Sequence, residues 1–323
     1  MRAMWAAVVL VAGGLTLAGT AQAVPPGFDA GSLARVGTGP RALAMGGAVV
    51  AVAGGPSAVY WNPAGLADMD VFQAEGTYLD VFAAGIHVQY VGAAGYPLLR
   101  GERPAVRLGG HRLVVGANWL SVRVADIPLW EEDGTQGLFD VWSHTVLLAV
   151  AWRLSDVPYV ALGLTGKAYR DRILEGSSFG LGFDVGLQWR TTIAELPVAL
   201  GVTAVDLGGT RVQWYGTTGN PVNYVPWLMR AGVAVSLWEE RISVAASYEW
   251  AVDRPRFERV RLGAEAWLEW LSLRAGWNRL LVDEGGRWSA GFGVAPQPWL
   301  SVDYAFLPGT LGNSHLIGLR VAF

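Results

Sequence analysis

The chain has 323 residues, 52% of them hydrophobic and only 16% charged, against about 25% charged in an average soluble domain. Its formal net charge of −3 gives no electrostatic footprint for nucleic acid, and the absence of cysteine excludes disulfides, thiolate metal sites and cysteine nucleophiles. Beyond the N-terminus no apolar run approaches the roughly 20 residues of a spanning helix, so a helical membrane protein is excluded and a closed β-barrel is the remaining way to satisfy so apolar a backbone in lipid.

Residues 1–23 read as a secretory signal peptide. Arg2 is the positive n-region, Trp5 to Leu17 the apolar core, and Ala21-Gln22-Ala23 the A-x-A cleavage site. Export is expected, with the mature chain starting near Val24.

Residues 24–66 are apolar yet precede the first alternating segment. They have to be buried, and the interior of a barrel is the available place. Gly46 and Gly47 remove side chains where backbone must pass close to a wall. Asn62-Pro63 starts a turn, with Pro63 biasing Asn62 away from helix. This stretch is expected to be a plug, or packing filler that closes the barrel floor.

From about residue 70 to the end the chain has period two, with the first strand expected near 70–80. In Phe179 to Arg190, Phe179, Leu181, Phe183, Val185, Leu187 and Trp189 share one face, while the glycines, Asp184, Gln188 and Arg190 share the other. Likewise Val260, Leu262 and Ala264 oppose Arg259, Arg261, Gly263 and Glu265. A strand sorts residues this way and a helix does not. About fourteen such segments of roughly ten residues follow one another, the length of a tilted strand crossing a bilayer. Tight links alternate with longer ones, as between inner turns and outer loops. The exception is Tyr96 to Gly110, expected at an inner position yet long: either that strand pair extends beyond the membrane or the register slips there. Trp142 and Trp152, like Phe179 and Trp189, lie ten residues apart on one face, which at a 45° tilt becomes roughly 23 Å, close to the distance between aromatic girdles.

The expected fold is therefore all-β: a transmembrane antiparallel up-and-down β-barrel of about 14 strands with an N-terminal hatch inside the lumen. Its division is a signal peptide (1–23), a hatch (24–66) and a barrel (67–323). An even strand number puts both termini on the periplasmic side. The polar strand faces turn Lys167, Asp184, Arg190, Arg230, Glu249, Arg261, Glu265, Arg274, Asp303 and Arg320 inward. Two interpretations stay open. These charges join plug and wall by salt bridges, or a few arginines hold the anionic end of an amphipathic molecule, with Arg230, Arg261 and Arg274 as ligand candidates. Catalysis is not expected. The four histidines have no metal-ligand spacing, Gly180-Leu181-Gly182 sits inside a strand, there is no G-x-S-x-G elbow, and no cofactor motif is present.

Ser314 to Phe323 alternates and ends on an aromatic. It resembles the C-terminal targeting strand of outer-membrane barrels, which makes Phe323 an assembly signal and the barrel-assembly machinery an expected partner. Residues 37–66, GTGPRALAMGGAVVAVAGGPSAVYWNPAGL, resemble the N-terminal motif of the FadL and PorV-like outer-membrane proteins, in which R-A-L-G-M-G-G-A leads to A-x-Y-x-N-P-A-G-L. The resemblance makes Arg41, Gly46, Gly47, Asn62 and Pro63 hatch-motif residues and agrees with a fourteen-stranded wall. It departs at Gly54-Gly55-Pro56, where the family usually has acidic residues. It implies a bacterial outer-membrane protein that passively transports hydrophobic or amphipathic small molecules such as long-chain fatty acids. The alternative is a PorV-like scaffold or shuttle of a secretion system, with partner proteins in place of a hydrophobic ligand.

Overall fold

A computed structural model describes residues 37–81, 85–96, 107–108, 111–130, 134, 136–254, 257–280, 287–309 and 312–323. The signal peptide and residues 24–36 lie outside them. The wall runs β1 (Gln73–Val81), β2 (Ile86–Gly95), β3 (His111–Trp130), β4 (Gln136–Asp156), β5 (Tyr159–Ile173), β6 (Gly176–Ile193), β7 (Leu196–Val205), β8 (Leu228–Leu237), β9 (Ile242–Ala251), β10 (Glu258–Leu268), β11 (Leu271–Leu280), β12 (Arg287–Gln297), β13 (Leu300–Gly309) and β14 (Gly312–Ala322). Each strand pairs antiparallel with its neighbours in sequence, and Gln73 of β1 faces both Ala94 of β2 and Ala322 of β14. This closes the sheet and removes its edges. In the link after β7, a hairpin of Thr210–Tyr215 and Val222–Val225 pairs alongside the outer part of β6, from Ser177↔Tyr215 to Gly180↔Val212.

Burial runs opposite to that of a soluble sheet. On β6, Leu181 and Phe183 are 59% and 63% exposed, while Asp184 and Gln188 are 1% and 0% exposed. The period-two pattern is unchanged, but the solvent of the apolar face is lipid. Short links occupy 157–158, 194–195, 238–241, 269–270 and 298–299 at the end of the barrel that carries both termini, and the two-residue link 174–175 at the other end is as short. Ala194 and Glu195 take φ of 49° and 65°, the turn geometry that continues the twist of the flanking strands. Trp238, Trp270 and Trp299 stand exposed in these turns, as expected of a girdle at a membrane interface.

Gly95 and His111, the strand ends on either side of the long link, lie at the end that carries the termini, while most of the link itself lies outside the described residues. The β2–β3 register is unbroken from Ile86↔Val124 to Gly95↔Val115, so no slip occurs in that pair. At the other end β3 and β4 rise above the rest of the wall, pairing as far as Trp130↔Gln136.

Residues 37–72 fill the lumen, and the wall begins at Gln73 rather than at 67. This segment holds α1 (Pro40–Ala44), α2 (Ala58–Trp61) and a 3-10 helix (Pro63–Asp68). Pro40 presets the backbone of the first turn of α1. A hydrophobic core forms where Met45, Val59, Trp61 and Leu66 meet small wall residues such as Ala94, Ala161 and Ala245. The fit depends on a band of inward-facing wall glycines. A methyl group at Gly163, Gly186, Gly201 or Gly276 would overlap Ala64, Asn62, Val50 or Gly46. Removing these side chains lets the backbone of the enclosed segment lie directly on the wall.

Candidate functional site

The hatch-motif residues divide the work of seating the lumenal segment. Gly46 and Gly47 have φ of 64° and 79°, and a Cβ on Gly46 would stand 2.8 Å from the backbone nitrogen of Trp277. Only glycine satisfies both the left-handed turn and the close approach. Asn62 is fully buried and extended, capping the 3-10 helix through its Oδ1, which accepts from the Ala64 amide. Its Nδ2 donates to the carbonyls of Val50 (2.9 Å) and Leu187 (3.0 Å), tying the segment both to itself and to β6. Pro63 follows at the first helical position, where a missing N–H costs nothing. Wall side chains satisfy further carbonyls of the segment: Asn118 donates to Pro56, Thr165 to Val59, Gln188 to Ala53 and Ser289 to Ala44.

Arg41 reaches across to β10. Its Nε and Nη2 donate to Glu265 Oε2 at 2.9 and 2.7 Å, and its Nη1 donates to the Val52 carbonyl. Glu265 also accepts from Arg274 Nε at 2.7 Å, and Arg274 Nη1 donates to Asp303. Two guanidinium groups and two carboxylates are thus matched around a single buried core. At the floor, Asp68 of the 3-10 helix pairs with Arg153 (3.2 Å) and Arg190 (2.6 Å), whose guanidiniums lie 4.9 and 4.6 Å from the Tyr159 ring.

The opposite side of the lumenal segment is different. A cavity of about 490 Å³ rests on it. The segment supplies Leu43, Tyr60 and Trp61; the wall supplies Leu79, Val81 and Trp288, with Arg230, Arg259, Arg261 and Glu249. Glu249 stands opposite Arg230 on β8 and opposite Arg259 on β10. It accepts from Arg230 Nε and from Arg261 Nη2 at 2.9 Å, while Arg259 Nη1 lies 3.8 Å away. Three guanidiniums therefore share one carboxylate. Arg230 also sits 5.5 Å from the rings of Tyr60 and Trp61, and Arg261 sits 5.8 Å from Trp61, in cation–π range. The Nη1 of Arg261 is buried without a hydrogen-bond partner among the described residues, an unspent donor beside open volume.

A further cluster fastens the link after β7. Lys167 Nζ lies between Asp184 Oδ1 (2.8 Å) and Asp206 Oδ2 (3.0 Å), and Tyr169 and Thr210 donate to Asp206. Phe323 lies at the seam: its amide donates to the Phe72 carbonyl at 2.8 Å and its ring is 5.9 Å from that of Phe72.

Of the three arginines expected as ligand candidates, Arg230 and Arg261 line the cavity. Arg274 does not: it lies among the matched charges around Glu265. Sequence reasoning did not single out Arg259, Tyr60 or Trp61. Arg259 shares the polar face of its strand with Arg261, and Tyr60 and Trp61 are the only aromatic residues of 37–66, so both signals are present in the chain.

No protein-family model matches the chain, and no curated protein matches it in sequence. Solved structures do. The Pseudomonas putida toluene transporter TodX superposes with a TM-score of 0.52 at 14% identity, covering 88% of this chain and 97% of that one. The Ralstonia pickettii toluene transporter TbuX gives 0.50 at 14%, covering 89% and 98%, and a Pseudomonas aeruginosa FadL homologue gives 0.50 at 14%, covering 88% and 95%. Closed wall, enclosed N-terminal segment and end-to-end superposition together give this chain the FadL-type barrel fold.

Proposed function

We propose that the protein is a passive conduit of the bacterial outer membrane for hydrophobic or amphipathic small molecules, with both termini periplasmic and the N-terminal segment as its stopper. The observation that carries this is the cavity of about 490 Å³ resting on that segment. Its aliphatic and aromatic lining suits an apolar body, and Arg261 Nη1 offers a donor to an anionic end. Barrels of this fold described as toluene transporters favour an apolar cargo. The three-to-one ratio of arginine to glutamate favours a cargo that also carries a carboxylate, such as a long-chain fatty acid. No chemical step is needed, because diffusion past a displaced stopper suffices.

A second interpretation, a scaffold or shuttle serving a secretion system, is favoured by how completely residues 37–72 fill the lumen beneath the cavity. Uptake by liposomes separates the two. A conduit takes up labelled fatty acid and toluene with the full chain, and planar-bilayer conductance rises when residues 24–66 are removed. A scaffold takes up neither cargo. If the folded deletion stays non-conducting, the stopper role is wrong.

A further inference from the structure

We infer that the outward face of β3–β5, at the rim away from the termini, binds the phosphorylated sugar headgroup of an anionic glycolipid in the outer leaflet. Here the wall carries a file of rings and cations where apolar residues prevail lower down. On β4, Leu148 and Val146 face lipid; above them come His144 and then Trp142. Trp119 of β3, His144 and Trp142 lie with near-parallel planes, at 18° and 26°, in two successive steps of 5.8 Å. Arg123 continues the file, its guanidinium 5.1 Å from the Trp142 ring and held by Asp140 at 2.6 and 2.9 Å. Arg170 and Arg172 of β5 stand directly opposite His144 and Trp142. Both are exposed, with no hydrogen-bond or carboxylate partner among the described residues.

Opposed residues of adjacent strands project from the same face about 5 Å apart, so the two free guanidiniums flank the ring file. They are separated by two residues along β5, about 6.6 Å. The acids nearby are Asp140, already held by Arg123, Asp126, whose amide donates to Asp140, and Asp171, between the two arginines in the chain, whose carboxylate accepts from Ser178. Unpaired guanidinium groups in a lipid-facing aromatic girdle are suited to phosphate oxygens, which they can grip in bidentate fashion. Two of them on one rigid strand match a headgroup with more than one phosphate. The ring file beside them offers a stiff apolar surface to a pyranose body, which a glycerol headgroup lacks.

The inference rests on the outer-membrane placement proposed above, with this rim in the outer leaflet. Its test does not. Native mass spectrometry of the purified full-length barrel in detergent would compare a bis-phosphorylated glucosamine-disaccharide lipid, its dephosphorylated form and phosphatidylglycerol. We expect retention of one bis-phosphorylated molecule, weakened about tenfold or more by Arg170→Ala with Arg172→Ala. Trp142→Leu should weaken it less, and Arg241→Ala at the opposite rim should leave it unchanged. Heat-modifiable mobility would establish that every variant is folded. Equal retention of phosphatidylglycerol, unchanged retention by the double variant, or an equal loss with Arg241→Ala would each overturn the inference. Cell fractionation checks the membrane placement separately.

Discussion

Two of the charge clusters in the lumen, those centred on Glu265 and Glu249, are made from the same ingredients and differ in stoichiometry. Around Glu265, two guanidiniums (Arg41 and Arg274) meet two carboxylates (Glu265 and Asp303), and Arg41 ties the enclosed segment to the wall. Around Glu249, three guanidiniums meet one carboxylate beside open volume. A buried and balanced cluster has no charge left to offer and acts as a fastening. An unbalanced cluster projects positive potential into its cavity and attracts an anion. Inward-facing arginine alone therefore says little about function; the count of neighbouring carboxylates decides it.

The largest test of this contrast is Glu265→Ala. It leaves the buried Arg274 and the partly buried Arg41 without their shared partner, and about 3–5 kcal/mol of stability should be lost, read from the urea midpoint of tryptophan fluorescence. A loss below about 1 kcal/mol would break the comparison. Next is Gly276→Val, which drives a side chain into the Gly46 amide. Overpacking of about 1–3 kcal/mol should fall on the seat of the enclosed segment, so single-channel conductance should rise while heat-modifiable mobility persists. Conductance as low as that of the parent chain would mean that the glycine band does not set the seal.

Arg261→Ala sharpens the contrast from the other side. It relieves crowding among three like charges and leaves Glu249 with Arg230 and Arg259. Stability should change little, while binding of a fatty acid weakens about tenfold and binding of toluene holds. An equal loss for both cargoes would show that Arg261 shapes the cavity rather than holding an anion. The smallest effect is expected for Asp68→Asn at the floor, where the carboxylate is 42% exposed. Screened pairs of this kind contribute about 0–1 kcal/mol, so global stability should barely move, while hydrogen exchange of residues 63–68 quickens. Unchanged exchange would show that Asn62 and the packing around Leu66 hold the floor without Asp68.

The wall was legible because a strand exposed to lipid on one face and to a lumen on the other writes its two environments in alternate residues, as Phe179 to Arg190 does. The enclosed segment was legible for a different reason. Gly46-Gly47 and Asn62-Pro63 encode backbone requirements that few other residues meet, and the structure uses them for a left-handed turn and a helix cap. The ligand-facing charges were only half legible. Alternation puts Arg230, Arg261 and Arg274 on the inward face alike, but which carboxylate each one meets depends on cross-strand register. Glu249 stands opposite Arg230 and Arg259, and Glu265 opposite Arg274. Period two does not contain that information. The first strand, expected near 70–80, starts at Gln73, and the boundary drawn at 67 falls inside the 3-10 helix that carries the chain from Pro63 to Asp68.

The seam has a consequence for the order of assembly. Of all strand pairs in the wall, β1 with β14 joins the residues most distant along the chain, and loop closure grows costlier with such separation. Phe72, the residue at which the chain leaves the lumen, is also the residue that receives the amide of Phe323. The strand pair that closes the ring is thus clasped at the point where residues 37–72 leave the lumen. Slackening that clasp would loosen the wall and its occupant together.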